Sequence, residues 1–386
     1  MAERKLAHIE LVHDITPIEG ADNIEKIFCL GWGLIAKKGE FKEGDKAVYI
    51  EIDSQVDTTK PGFEFLEKNK GRIKTLKLNR FNVISQGIAL PLDAVGLDAS
   101  KYNVGDDVTK VLSITKIQTD EEKRLIRESA DPRINRVNSR YKKFMKSKLG
   151  KWVMKHKFTR TLFLRLFGGK KVKPKAWPDF ISKTDETRIE NIPQQLKDKR
   201  KLEVTEKLDG TSTTFFIRKK RGTKYEFGVC SRNVRQLDKE QACYHDYNIY
   251  WAMADKYKVQ SVLERIALRY NYPEYIVLQG ESIGKVQGNP YKLQEDDFYG
   301  FNLIINGKKM DSVEAAELMK HYGIKWVPIL QTDFVCPDTM EEMKKLATAK
   351  SVINPDVLRE GCVYRDANNT VSFKNVSNDY LLKRNL

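Results

Sequence analysis

The 386-residue sequence contains few cysteines and histidines, and neither residue type is spaced like a metal-binding motif. The five cysteines lie far apart in the chain: Cys29, Cys230, Cys243, Cys336 and Cys362. Without a C-x-x-C pair they argue against a disulfide framework or a zinc ribbon, and they indicate a reducing, intracellular setting. Among the five histidines only the pair of His245 with Asp246 suggests a ligand, and the default interpretation is a surface or core histidine.

Long apolar runs and the common glycine-rich nucleotide motifs are also absent. No run approaches the length of a membrane span, and the first residues, MAERKLAHIELVHD, lack the apolar region of a signal peptide. We therefore expect a soluble, cytoplasmic protein with no membrane partner. No G-x-G-x-x-G follows a predicted strand and no G-x-x-x-x-G-K-S/T occurs, which excludes a Rossmann site and a P-loop.

The positive charge of the chain is concentrated in one stretch. Between Arg133 and Lys175 there are 16 lysines and arginines and no acidic residue. The whole chain has 69 basic and 53 acidic residues, an excess that is also 16, so the remainder is neutral on balance. Charge concentrated in this way implies a polyanion as partner.

Apolar residues in the basic stretch recur at helical spacing. They predict one or two amphipathic helices that pack an apolar stripe, expose lysine and end at Gly168–Gly169. The predicted stripe consists of Phe144, Leu149, Trp152, Val153, Leu162, Phe163, Leu166 and Phe167. Three uses compete: binding of phosphate backbones, binding of a membrane surface, and a solvated helix face. The chemistry indicated further along the chain favours the first.

Composition divides the chain into three predicted parts. Residues 1–115 contain short strands separated by turn signals, which suits a small β-barrel or sandwich. Residues 116–176 are the basic helical connector, with a further helix predicted over 120–130. Residues 177–386 alternate strands with helices at about 240–270, 312–322 and 339–350, which predicts an α+β domain dominated by antiparallel strands.

The N-terminal part carries no catalytic constellation. It is either a structural barrel or a barrel whose open face holds nucleic acid. Its basic residues between Phe65 and Phe81 favour nucleic acid, because a charged groove with aromatic side chains suits single strands and backbones. The residues that form this run are Lys70, Arg72, Lys74, Lys77 and Arg80, with Phe65 and Phe81 at either end.

The stretch Leu202–Arg218, LEVTEKLDGTSTTFFIR, predicts a strand, a tight glycine turn and a second strand. It places Lys207 at a strand end beside Asp209 and Gly210. A lysine in such a position can act as a nucleophile, since its neutral amine is the form that attacks. The alternative is a hairpin with a solvated lysine.

Polar residues at the ends of later strands could assist Lys207. Arg232 suits a phosphate or ribose, Phe298–Asn302 (FYGFN) offers rings for a purine, and Lys374 brings a second cation. Glu281 and Glu360 each place a carboxylate beside a strand. Taken together, these are the parts that phosphoryl transfer requires: charge neutralisation and positioning.

The ordered series KLDGTS, SRN, QGE, FYGFN, EGCVYR and SFKNVSNDYLLK resembles motifs I, Ia, III, IIIa, IV and V of the covalent nucleotidyltransferases. That superfamily comprises ATP-dependent DNA ligases, RNA ligases and GTP-using capping enzymes. Thr211-Ser212 favour the RNA ligases, because the other two groups usually carry an arginine two residues after the glycine. The N-terminal part and WPDFISKTDETRIENIP are similar to the RNA ligase group with an N-terminal OB module that seals 3′-OH/5′-phosphate nicks.

The resemblance implies a role for each motif residue. Lys207 would attack the α-phosphate of ATP and carry AMP, and Lys374 would neutralise that phosphate. Glu360, together with Asp209, would position Mg2+ or Mn2+. The implied nucleotide-binding residues are Glu206, Arg232, Glu281, Tyr299 and Phe301, with Phe301 favoured over Tyr299 for stacking on adenine.

The resemblance has one departure and leaves rivals open. Motif V often carries two lysines two residues apart, but Val376 occupies the second position, and Lys383 is a candidate for the missing cation. The expected function is an ATP-dependent RNA ligase that acts on nicked duplex RNA in RNA repair, with no stable protein partner indicated. The alternatives are a ligase for DNA or DNA/RNA hybrids, a non-catalytic RNA-binding protein and a GTP-using capping enzyme.

Overall fold

The computed structural model describes residues 5–117, 139–167, 177–232, 235–236, 239 and 247–384. In chain order its strands are β1 (Ala7–Pro17), β2 (Ile24–Cys29), β3 (Trp32–Lys37), β4 (Lys46–Ile50), β5 (Ser54–Gln55), β6 (Arg72–Ile73), β7 (Thr75–Leu78), β8 (Val83–Gln86), β9 (Ile88–Pro91), β10 (Thr115–Lys116), β11 (Thr187–Arg188), β12 (Leu202–Lys207), β13 (Thr211–Lys219), β14 (Tyr225–Cys230), β15 (Arg235–Gln236), β16 (Tyr275–Ile283), β17 (Asp297–Ile305), β18 (Lys308–Lys309), β19 (Lys325–Trp326), β20 (Ile329–Phe334), β21 (Gly361–Arg365) and β22 (Ser372–Val376).

The described α-helices are α1 (Ser139–Lys146), α2 (Lys148–Lys155), α3 (Lys157–Phe167), α4 (Ile249–Lys256), α5 (Val259–Arg269), α6 (Ser312–His321), α7 (Met340–Ala347) and α8 (Asn378–Arg384). Short 3-10 helices cover Glu64–Asn69, Asp93–Val95, Ala99–Lys101, Ile189–Asn191, Pro193–Leu196 and Val286–Gly288. The chain forms two compact units. The first comprises Met1–Ile117, Asp185–Lys207 and Pro328–Leu386, and the second comprises Gln118–Thr184 and Leu208–Val327. The domain boundaries predicted after residues 115 and 176 stay predictions.

The N-terminal part of the first unit is built on an antiparallel sheet in the order β3-β2-β1-β4-β9. The first half of strand β1 is buried on both faces: Ile9 packs into one apolar cluster and Val12 into another. Its pairing with β2 shifts register between His13 and Thr16, an irregularity of the kind that bends a strand and lets a sheet curl. The expected β-rich, OB-like module is thereby confirmed.

The second sheet of the first unit has the order β11-β22-β21-β12-β20. Its strands pair antiparallel, except that β11 runs parallel to β22. One face packs Val204, Tyr364 and Phe373 into a buried cluster. Because side chains alternate along each strand, the opposite face is left to carry polar groups.

The second unit is built on a larger sheet in the order β15-β14-β13-β16-β17-β18, with β19 beside β17. Its inner face, which includes Phe215 and Leu278, packs on α4, α5 and α6 through residues such as Leu263 and Met319. The predicted strands and the helices near 249–269, 312–321 and 340–347 are thus present, and the α+β class is confirmed.

The basic stretch differs from its prediction. Its described residues, 139–167, form three short helices, since the backbone is extended at Ser147 and His156. The Ser147 side chain caps α2 by accepting from the Gly150 amide. A small core forms around Phe163 and Leu164. Several residues of the predicted stripe are instead exposed: Leu149, Trp152, Leu162, Leu166 and Phe167. Helical spacing identified apolar faces, but short helices cannot bury all of them against one another.

Three predictions fall outside the described residues: the helix over 120–130, the end of the basic helices at Gly168–Gly169 and the pair His245–Asp246. Of the helices that the structure describes, none combines the length and the apolar character that crossing a bilayer requires.

Candidate active site

Lys207 and Glu360 meet at the end of the second sheet of the first unit. Lys207 is the last residue of β12 and pairs in register with Gly361, so the preceding residue, Glu360, comes alongside it. The Lys207 Nζ donates to Glu360 Oε2 at 2.7 Å, and the two side chains are 25% and 17% exposed. Any side chain at position 361 would meet the Asn375 carbonyl oxygen at 2.2 Å, so this close strand approach requires glycine.

Lys374 lies on the same face of this sheet as Lys207. It pairs with Val363, which pairs with Thr205, two residues before Lys207. The Lys374 Nζ lies 3.0 Å from Asp185 Oδ1. The pKa of Lys374 is lowered to about 8: burial is the largest cause, the charges of Arg188 and Lys207 act in the same direction, and Asp185 raises the pKa.

Two charged residues of the sequence TDETR join this face without having been predicted. Asp185 is the carboxylate beside Lys374, and Arg188 is the register partner of Lys374 across the parallel strands β11 and β22. The only sequence signal for either residue was the similarity of the stretch WPDFISKTDETRIENIP to an RNA ligase group. A two-residue strand has no periodicity that could have revealed the pairing.

Glu206 faces away from Lys207, as alternation along a strand requires. Its carboxylate accepts from the Ser351 hydroxyl at 2.5 Å and from the Val352 amide at 2.8 Å. Burial raises the pKa of this carboxyl group, and the two hydrogen bonds work in the opposite direction. The carboxylate therefore fastens the segment around Ser351 to the sheet, and the nucleotide contact of Glu206 stays a prediction.

The second unit gathers other predicted residues on the face of its sheet opposite the helices. Ser212, Glu281 and Tyr299 form one row of register partners across β13, β16 and β17. The backbone at Gly210 lies close to β16, and a Cβ at this position would be only 2.3 Å from the Ser282 carbonyl oxygen, so the position requires glycine. The Asp209 amide donates to the Tyr291 hydroxyl at 2.7 Å, which holds the turn after Lys207.

Phe301 and Arg232 lie at irregular points of the same sheet. The β16–β17 register shifts between Gln279 and Gly280, and Phe301 is the extra residue, half-buried at the resulting bulge. Bulges of this kind redirect a side chain and are common beside active sites. Arg232 follows the end of β14 and is exposed. The stacking and phosphate contacts of these two residues stay predictions.

The acidic residues suit a metal ion that keeps several of its waters better than one enclosed by protein ligands alone. Within the described part of the chain, no three His, Cys, Asp or Glu side chains cluster closely enough to hold a metal. Glu360 offers one partly exposed carboxylate, the ligand type that Mg2+ and Mn2+ prefer. An ion of this kind keeps several waters and takes phosphate oxygens as its other ligands.

Basic side chains are exposed in both units. In the first, Lys70, Lys77 and Arg80 are exposed, and the Arg80 guanidinium lies 5.2 Å from the Phe81 ring. In the second, α2 and α3 expose Lys148, Lys151, Lys155 and Lys157.

Two family models match the sequence. An RNA ligase model matches residues 200–383, and an OB-fold domain model matches residues 6–92. The first match contains Lys207, Glu281, Glu360 and Lys374. No curated protein matches the sequence.

Solved structures of the RNA ligase from Naegleria gruberi resemble the whole chain. An apo aspartate-to-alanine mutant is 32% identical and covers 99% of each chain, with a TM-score of 0.74. The same ligase with pyrophosphate gives the same identity, coverage and TM-score. A lysine-to-alanine mutant with ATP and manganese is also 32% identical, covers 99% of this chain and 98% of that one, and has a TM-score of 0.72.

Proposed function

This chain belongs to the RNA ligase family and is an ATP-dependent RNA ligase that uses a divalent metal ion; we propose that it seals 3′-OH/5′-phosphate nicks in duplex RNA through an AMP carried on Lys207. The observation that supports this route best is the pair formed by Lys207 and Glu360, 2.7 Å apart and partly exposed. It joins a nucleophile to a carboxylate on one sheet face, with Lys374 as a further cation nearby.

The first step forms one bond and breaks another. The neutral Lys207 amine attacks the α-phosphorus of ATP, the α–β phosphoanhydride breaks, and pyrophosphate leaves. Lys374 neutralises charge on the α-phosphate as it develops. Glu281 binds the ribose and Phe301 stacks on the adenine, with Arg232 on a phosphate.

Two further transfers complete the reaction. The RNA 5′-phosphate takes AMP from Lys207, which restores the lysine and leaves a 5′–5′ pyrophosphate linkage. The 3′-OH then attacks the RNA phosphate and releases AMP. Glu360 and Asp209 would position a divalent metal ion through water, and the ion would stabilise the negative charge of the phosphates.

The RNA itself is held by the exposed basic surfaces. The lysines of α2 and α3 and the basic strands near Arg80 provide positive charge for phosphates of a nicked duplex. We place this activity in RNA repair in the cytoplasm.

The direct test is incubation with α-labelled ATP and magnesium, comparing the native protein with Lys207→Ala. We expect label that survives denaturation on the native protein only. Because the enzyme could be purified already carrying AMP, both samples are first treated with pyrophosphate. Absence of label from the treated native protein would refute the covalent route.

A second assay separates the possible substrates. Nicked duplexes made of RNA, of DNA or of one strand of each are sealed side by side with the same protein. We expect sealing where RNA provides the 3′-OH end, because the 2′-OH is the group that distinguishes RNA from DNA. Equal sealing of the all-DNA nick would move the proposal to a DNA ligase.

A further inference from the structure

We propose that Arg188 is a phosphate-binding residue of the adenylylation site, where it supplies the second cation beside Lys374. The inference rests on the proposed AMP chemistry of Lys207 and adds a residue to it. The phosphate concerned is the α-phosphate of ATP, which becomes the phosphate of lysyl-AMP and then the phosphate of the AMP that leaves when adenylylated RNA is sealed.

Strand pairing places Arg188 in the same row as the predicted site. Arg188 pairs with Lys374, Lys374 with Val363, and Val363 with Thr205. Register partners project from one face of a sheet, and Lys207 returns to that face two residues after Thr205. Two cations and the nucleophile therefore share one surface of the first unit.

The guanidinium of Arg188 is held firmly but is incompletely bonded. Its side chain is 9% exposed, and its guanidinium carbon lies 5.6 Å from the centre of the Trp32 ring. One terminal nitrogen reaches Asp53 only at 3.9 Å, and the other, Nη1, has no hydrogen-bond partner within the described part of the chain. A buried donor left unpaired is costly, and a phosphate oxygen would satisfy it.

The Asp185 carboxylate shows that the row formed by Arg188 and Lys374 attracts an anion. Its carboxylate faces the Lys374 ammonium at 3.0 Å, although the Asp185 side chain is largely exposed. An exposed carboxylate on a short segment can turn aside when a more highly charged phosphate arrives. Asp185 thus marks a position beside Lys374 that a phosphate oxygen would take.

The alternatives for the second cation are weaker. Val376, at the position where motif V often carries its second lysine, is buried in an apolar cluster with Trp32, Tyr49 and Leu381. Lys383 is exposed in the last turn of α8. Arg188 also has a chemical advantage over a lysine, because its planar guanidinium can donate two hydrogen bonds to one phosphate.

The test measures two reactions with Arg188→Gln, Arg188→Lys and Asp53→Asn. The first reaction is AMP uptake from α-labelled ATP, and the second is sealing of RNA that already carries AMP at its 5′ end. We expect Arg188→Gln to slow both on the order of 100-fold, as removal of a charge-stabilising donor does. Arg188→Lys should recover part of both rates with a raised ATP requirement, and Asp53→Asn should remain close to the native protein.

Each contrary outcome has a separate meaning. Rates for Arg188→Gln within about twofold of the native protein would overturn the proposal. Equal losses in Arg188→Gln and Asp53→Asn, with lowered melting temperatures, would show that Arg188 only fastens the fold. Loss of AMP uptake with normal sealing of adenylylated RNA would overturn the assignment to the α-phosphate and indicate the departing pyrophosphate.

Two controls keep the result decisive. If Arg188→Gln does not fold, Arg188→Lys decides: an unchanged ATP requirement overturns the proposal, since lysine lacks the bidentate fork of arginine. If the native protein takes no label after pyrophosphate treatment, the AMP chemistry itself has failed, which is distinct from a failure at Arg188.

Discussion

The ammonium of Lys207 and the carboxylate of Glu360 are 2.7 Å apart, although 153 residues separate them in the chain. The pairing of β12 with β21 brings them together, and Gly361 permits it. Glu360 therefore has two tasks in the proposed reaction. It holds the nucleophile at the strand end, and it offers a carboxylate to a hydrated metal ion.

Replacement of Glu360 by glutamine tests the two proposed tasks of its carboxylate while the fold is retained. Glutamine keeps the shape and can still accept a hydrogen bond, but it removes the charge that a divalent ion requires. We expect AMP uptake to slow on the order of 100-fold at fixed magnesium, with the melting temperature retained. The control is Glu341→Gln, whose exposed pair with Lys345 lies on the surface of α7. Uptake by Glu360→Gln at the native rate across a magnesium titration would remove Glu360 from the metal role.

Alkaline pH should weaken the reaction through Lys374. The pKa of Lys374 is lowered from its ordinary 10.5 to about 8, first by burial, so the ammonium of the free enzyme is lost as pH rises through 8. We expect AMP uptake at low ATP to fall above that pH relative to Lys374→Arg, because arginine stays charged. The measurement is the ratio of the two rates between pH 7 and 9.5, since the ratio cancels the titration of Lys207 and of ATP. A constant ratio would show that Lys374 stays charged throughout.

Stacking on adenine should distinguish Phe301 from Tyr299. Base–aromatic stacking is worth roughly 1–3 kcal/mol per base, so Phe301→Ala should raise the ATP requirement about tenfold or more with the fold retained. Tyr299 already has the Lys325 ammonium 5.6 Å from its ring centre, and we expect a smaller effect from Tyr299→Ala. ATP titrations of AMP uptake by the two variants provide the comparison. The reverse order of effects would assign stacking to Tyr299.

Strand ends and motif order could be predicted from the sequence, because both are local. The alternation around Lys207 identified β12 and β13, and the same alternation explains why Glu206 faces the opposite side and binds Ser351. The role of Arg188 could not be predicted, since it follows from a parallel pairing between β11 and a strand near the end of the chain. The exposure of apolar side chains on α3 could not be predicted for a similar reason, because helical spacing does not show which apolar residues other elements will cover.

The N-terminal module should lose stability as pH rises through 9. Burial alone would lower the pKa of His8, but hydrogen bonds and charge from Glu10 and Glu51 outweigh it and raise the pKa from 6.5 to about 9. Because this pKa is higher in the folded state, protonated His8 stabilises the fold fully below pH 6.5. That stabilisation, up to about 3 kcal/mol, is lost as pH rises through 9. Urea unfolding of the native protein and of His8→Gln at pH 6, 7.5 and 9.5 measures the difference. Parallel pH profiles for the two proteins would contradict the charged His8.

The basic helices provide the last prediction, which concerns RNA binding apart from catalysis. Four exposed lysines of α2 and α3 are replaced together by glutamine: Lys148, Lys151, Lys155 and Lys157. Each phosphate contact on a duplex contributes a slope of about 0.9 to the fall of log affinity with log salt concentration, so the loss of contacts should weaken nick binding and flatten that slope. AMP uptake by Lys207 should be unchanged.

A matched control replaces four exposed lysines elsewhere in the second unit: Lys220, Lys224, Lys308 and Lys320. Equal affinity and equal salt dependence in both quadruple variants would show that the basic helices do not contact the RNA backbone, whereas a loss confined to the first would locate part of the duplex on α2 and α3.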